Sequence, residues 1–69
     1  MQITGRNKIK GKVIKTKSGQ VAAEVEMDAG NGIKISGLIT KCSLDELNIK
    51  EGDEVTALIK ATSVMFIKE

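Results

Sequence analysis

Val21-Ala22-Ala23-Glu24-Val25-Glu26-Met27, then Gly30-Asn31-Gly32, then Ile33-Lys34-Ile35-Ser36-Gly37-Leu38-Ile39 is the stretch that decides the fold. In its first part apolar residues recur at every second position. Val21, Ala23, Val25 and Met27 fall on one face of an extended chain, and Glu24 and Glu26 fall on the other, the signature of a half-buried strand. Gly30-Asn31-Gly32 combines residues that tolerate positive φ and so turns the chain back on itself. The return segment carries Ile33, Ile35, Gly37 and Ile39 inward.

The same period of two extends upstream. From Lys8 to Lys17, Ile9, Gly11 and Val13 alternate with Lys8, Lys10 and Lys12, and Ser18-Gly19 reads as the turn into the next strand. Downstream the period changes. Ser43-Leu44-Asp45-Glu46 fits a capping box, with Ser43 capping a first helical turn, Glu46 reaching back, and Leu44, Leu47 and Ile49 covering one face. Lys50-Glu51-Gly52-Asp53-Glu54 is a polar turn, and strand formers dominate Val55 to Lys60 and, after Ala61-Thr62-Ser63, Val64 to Ile67. The inventory predicts an all-β fold: a five-stranded OB-like barrel with one short helix between strands 3 and 4. Ala57-Leu58-Ile59 and Val64 to Ile67 are apolar without alternation, so both of their faces are expected to be covered, by the barrel core or by another subunit.

A chain of 69 residues forms one domain, residues 1–69, without linker, repeat or low-complexity segment. Domains of this size bury only ~60% of their unfolded surface and commonly draw on a disulfide, a metal or association for stability. Cys42 has no partner cysteine and the chain has no histidine, which excludes an internal disulfide and a Cys/His zinc site and leaves self-association. The N-terminal residues lack a signal-peptide pattern and no segment reaches ~18 apolar residues, so a soluble cytoplasmic protein with no membrane partner is expected. The formal charge is only +2, but Lys8, Lys10, Lys12, Lys15 and Lys17 crowd the first quarter, compatible with an anionic partner.

Catalysis finds little support. There is no histidine, no Ser/His/Asp or Cys/His set and no glycine-rich phosphate loop, and the carboxylates fall at turns or on solvent faces, so the protein is not expected to be an enzyme. A tetrahedral dianion, by contrast, only accepts hydrogen bonds and needs a shell of donors without carboxylates. Thr4 and Arg6 before the first strand, Thr40 and Ser43 at the helix start, and Lys60 at the end of the fourth strand are such donors at element ends. Arg6 brings a rigid fork and Lys60 a compact charge, and the N–H groups of the helix start favour anions at Ser43. Each also has a plainer reading, as an exposed charge, a helix cap or a strand-end threonine. The competing function is an OB-like module for single-stranded nucleic acid, which the lysine row would suit. Phe66 is the only aromatic residue, however, where such modules stack bases on several. Cys42 reads as a small buried hydrophobe rather than a metal ligand or redox sensor.

Ile3-Thr4-Gly5-Arg6-Asn7-Lys8-Ile9-Lys10-Gly11-Lys12-Val13 resembles the opening signature Ser-Ala-Arg-Asn-x-apolar-x-Gly-x-Val of the molbindin (Mop-like, TOBE-related) family. Ile39 to Leu47 and Glu51 to Met65 resemble that family's middle and closing motifs in the same order. The resemblance implies OB-like subunits assembled as hexamers, trimers of dimers, that bind molybdate or tungstate as ligand without a cofactor, for storage, buffering or delivery. It implies that Thr4, Arg6, Lys60 and the backbone of Ala61 line one side of a pocket whose other side is Thr40 and Ser43 of a neighbouring subunit. Thr4-Gly5 replaces the commoner Ser-Ala, and Ala61 stands where some members have serine. The family also has anion sites on its threefold axis, for which Asn7 and Lys8 are candidates by position alone.

Overall fold

A computed structural model describes residues 6–69 of the chain. Its elements in order are β1 (Asn7–Ser18), β2 (Ala22–Gly30), β3 (Ile33–Thr40), α1 (Lys41–Glu46), β4 (Glu54–Ile59) and a 3-10 turn at Ala61–Ser63. The strands form one antiparallel sheet in the order β3-β2-β1-β4. The β2–β3 reversal is as expected, with Gly30 (φ 92°), Asn31 (φ 54°) and Gly32 (φ 77°) all in the left-handed region.

The sheet is curled rather than flat, and two irregularities help to curl it. In β1 the register slips between Val13 and Lys15, and in β2 between Asp28 and Gly30. At Gly11 the backbones approach closely: a Cβ there would lie 2.6 Å from the Asp28 carbonyl oxygen and 3.0 Å from the Met27 methyl carbon. At the edge of the slip, Val13 exchanges two backbone hydrogen bonds with the turn before β4, donating to the Asp53 carbonyl and accepting from the Gly52 N–H, both at 2.8 Å. These bonds tie the polar turn to the bulge.

The inward parity read from the sequence holds where the sheet covers itself. Val13, Ala23, Met27 and Leu44 are buried, while Val25, Ile35, Ile39, Val55, Ala57 and Ile59 are half-buried around an open apolar trough that Ile49 also lines. Three residues assigned to the core are instead exposed: Val21, which precedes β2, Ile33, which sits at the turn, and Leu47, which follows α1. Gly37 is exposed as well, although it lines the trough.

The helix start differs from the capping box. Thr40, extended at the end of β3 (φ −75°, ψ 152°), is the N-cap, and its Oγ1 accepts from the Ser43 N–H at 3.0 Å. Ser43 is therefore inside the helix, and Glu46 is its last residue. The strand's end already supplies an extended threonine three residues before a free N–H, which is the geometry a cap requires. Lys41 and Asp45 form an exposed i,i+4 ion pair at 3.0 Å.

Among the described residues the sheet has four strands. Val64 to Ile67, expected as a fifth, has no ladder partner among them. The 3-10 turn carries the chain off the end of β4 rather than folding it back as a hairpin, and Phe66 is 94% exposed.

Candidate oxyanion site

The antiparallel β1–β4 ladder ends at Asn7↔Ile59. Arg6 and Lys60, the next residue on each side, therefore leave the sheet at the same end, both exposed. Lys60 is extended (φ −64°, ψ 139°) and caps the 3-10 turn, whose Ser63 N–H donates to the Lys60 carbonyl at 2.9 Å. Ala61 is exposed in that turn. Thr4 lies outside the described residues.

Cross-strand partners share a face of the sheet and sit close enough for their charges to interact, so the register assigns each lysine of β1 its electrostatic neighbours. Lys12 is opposite Asp28 on one side and Glu54 on the other, Lys15 is opposite Glu26, and Lys17 is opposite Glu24. Lys8 and Lys10 face Leu58 and Thr56. The acidic residues thus accompany the far part of the lysine row, while the end bearing Arg6, Lys8 and Lys60 has no carboxylate opposite it in the ladder. The sequence showed the lysines but not this division, which needs the register. A trace of it was present: the lysines change from even positions (8, 10, 12) to odd ones (15, 17), and the slip at Ile14 restores them to one face.

Thr40 and Ser43 come together, with the Thr40 hydroxyl donating to Ser43 Oγ at 2.8 Å. They lie at the opposite end of the sheet, where Thr40 pairs with Ala22 and the neighbouring Ala23 pairs with Ser18 of β1. Within one chain the structure therefore joins Arg6 with Lys60 and Thr40 with Ser43, but not the two pairs with each other. Cys42, read as buried, is exposed.

Other concavities fit an anion poorly. One of about 580 Å³ is lined by Lys10, Lys12, Asp28 and Glu54 among others, so its two ammonium groups are offset by two carboxylates. No group of three or more His, Cys, Asp or Glu side chains suited to a metal ion occurs among the described residues. No helix there is long and apolar enough to cross a membrane.

Residues 3–66 match the TOBE domain family. The chain belongs to that family, in its Mop-like, molbindin branch. It is 45% identical to molybdenum-pterin-binding protein 3 of Clostridium pasteurianum over 97% of this chain and 98% of that one. It is also 45% identical to a probable molybdenum-pterin-binding protein of Haemophilus influenzae, over 94% of each. Among solved structures it superposes on a molybdate-binding protein from Sporomusa ovata with a TM-score of 0.92 at 40% identity, covering 99% of this chain and all of that one. The cytoplasmic molybdate-binding protein ModG, solved with molybdate bound, gives a TM-score of 0.83 at 41% identity, with 88% of this chain matched to 43% of that one. As a Mop-like chain it carries Arg6 and Lys60 at the ladder end, and Thr40 and Ser43 at the helix start.

Proposed function

We propose that this protein binds molybdate, or its relative tungstate, reversibly in the cytoplasm, for storage, buffering or delivery and without making or breaking a bond. The observation that carries the reading is the ladder end where Arg6 and Lys60 emerge together with no opposing carboxylate. A dianion there meets a guanidinium fork and an ammonium, the strong class of charge-assisted donors, and no repelling group. Its remaining oxygens need donors of another kind, and the Thr40 and Ser43 hydroxyls and the Ala61 N–H are such donors. Thr4 completes the proposed set. The molybdate-binding relatives, alike in fold over essentially the whole chain, support the choice of ion.

The pocket is shared between subunits in this reading, because the cationic pair and the hydroxyl pair occupy opposite ends of one sheet. A homo-oligomer, in the family's arrangement a hexamer built as a trimer of dimers, brings one end against the other. It also accounts for the apolar surface that one chain leaves open. Val64 to Ile67 of one copy, with Met65, Phe66 and Ile67 all exposed, would supply the fifth strand of a neighbour's barrel along the trough between β3 and β4.

Calorimetric titration with molybdate, tungstate, sulfate and phosphate, alongside the mass in solution, tests the reading. Selective binding of the larger oxyanions by an oligomer is expected, with Arg6→Ala and Lys60→Ala each weakening it about 10- to 100-fold, the worth of one charge-assisted bond. Absence of molybdate binding in the intact protein would overturn it. A molybdenum-pterin titrated in parallel separates oxyanion binding from the cargo that the relatives' names carry.

A further inference from the structure

Asn7 makes a contact that its neighbours' roles do not explain. Its Nδ2 donates to the Ile59 carbonyl at 3.1 Å in a part-buried position, joining residues 52 apart in sequence. Every other side-chain hydrogen bond among the described residues joins positions no more than four apart. The bond sits at the last rung of the β1–β4 ladder. Beyond it the chain leaves β4 through Lys60 into the 3-10 turn, and β1 begins from Arg6.

We infer that Asn7 is a positioning residue for the anion site: its carboxamide clamps the end of β4 to the start of β1 and so fixes where Arg6 and Lys60 emerge relative to each other. This rests on the molybdate reading above and adds a residue to it. The chemistry suits asparagine in particular. A carbonyl needs a donor, and Asp at the same length would present only acceptors at neutral pH, setting oxygen against oxygen and a negative charge beside the anion. Gln would carry the donor one methylene too far. Lys60 is then held from both sides, by the clamp at Ile59 and by the Ser63 N–H on its own carbonyl. A dianion is bound by donors set before it arrives, and loosening the clamp lets the two cations move apart.

Asn7→Leu keeps the shape and removes the donor, and Asn7→Ser is the milder second variant should the leucine chain fail to assemble. Three measurements on the assembled protein decide the matter. Molybdate affinity should fall about tenfold in either variant, the size of one lost hydrogen bond that is not replaced. Combined with Lys60→Ala, the Asn7 substitution should cost much less than it does alone, because its effect runs through Lys60. Without any ligand, amide hydrogen exchange at Ser63 should quicken as the turn loosens. Unchanged affinity and unchanged exchange at Ser63 would overturn the assignment. So would losses that simply multiply in the double variant, since these describe a general effect on the fold. If the unsubstituted protein binds no molybdate, the oxyanion reading fails, while the exchange measurement still reports whether Asn7 holds the turn.

Discussion

A shared pocket makes a demand that a pocket within one chain does not: two variants that each fail alone should recover binding when assembled together. The geometry sets the terms. Between the rung at Ser18, beside the Thr40 end, and the rung at Asn7, the β1 strand runs eleven positions, on the order of 30 Å at strand rise. That is close to the 37 Å longest dimension of the chain. Donors of one anion must each lie about 3 Å from one of its oxygens, and the separation of the two half-sites along β1 is why the proposed pocket draws them from two subunits. Let one variant carry Arg6→Ala with Lys60→Ala, losing two charge-assisted bonds of about 1.5–3 kcal/mol each and hence at least about a hundredfold in affinity. Let the other carry Thr40→Asp, which keeps an N-cap acceptor for α1 but turns a carboxylate on the incoming dianion at a cost of several kcal/mol. Neither protein alone should bind molybdate at micromolar concentration. Refolded together at equal amounts, random pairing puts an intact cationic end against an intact hydroxyl end in about a quarter of the pockets, whatever the closed symmetry. Titration of the mixture should therefore show about a quarter of the normal stoichiometry at normal affinity. Zero recovery, in a sample whose mixed assembly is verified by native mass spectrometry, would refute the shared-pocket reasoning.

Three further outcomes follow from the fold. Gly11→Ala places a methyl group 2.6 Å from the Asp28 carbonyl and should cost about 1–3 kcal/mol, measured by urea unfolding at fixed protein concentration. Thr40→Ala removes the cap on the Ser43 N–H and should destabilise α1 by about 1 kcal/mol, whereas Thr40→Ser should be near neutral in the same assay. Removing residues 64–69, or replacing Phe66 by Ser, should shift the mass in solution by light scattering toward smaller species if the exposed tail completes a neighbour's barrel.

The sheet was legible because strand period and turn chemistry agreed from β1 through β3. The Ala23–Met27 alternation, the Gly30-Asn31-Gly32 reversal and the polar turn at Lys50–Glu54 all match the structure. Burial was legible only where the sheet covers itself. Val21, Ile33 and Leu47 are apolar at element ends, and period alone does not distinguish a residue inside a strand from one just beyond it. The helix start was displaced for a similar reason, since Thr40 and Ser43 both satisfy capping chemistry and only the backbone decides that Thr40 stands outside the helix. The fifth strand illustrates a different limit. Val64 to Ile67 has strand composition, but it follows the 3-10 turn without a ladder partner among the described residues, and composition alone does not say whether a segment pairs. Of the candidate site, spacing alone gave the residue types and their places at element ends; the division into two sides came only with the family resemblance, and the register adds that the two pairs stand at opposite ends of the sheet.

The lysine row of β1 is where sequence and register lead to different functions. Read along the chain, five lysines in ten residues resemble a stripe for a polyanion, the footprint expected of a nucleic-acid module. Such a stripe must remain uncompensated along its length, because affinity grows with the number of phosphates neutralised. The register denies this: Lys12, Lys15 and Lys17 each stand opposite a carboxylate, and the slip at Ile14 is what keeps Lys15 and Lys17 on the face of Glu26 and Glu24. A polynucleotide laid along β1 would meet alternating charge over most of the strand and no stacking surface, since Phe66 is far along the chain and is the single aromatic. What remains uncompensated is one end, carrying Arg6, Lys8 and Lys60. A patch so short suits a compact anion that spends its whole charge at one point better than a strand that spreads it, and this is the electrostatic reason to place an oxyanion rather than a nucleic acid at the end of the β1–β4 ladder.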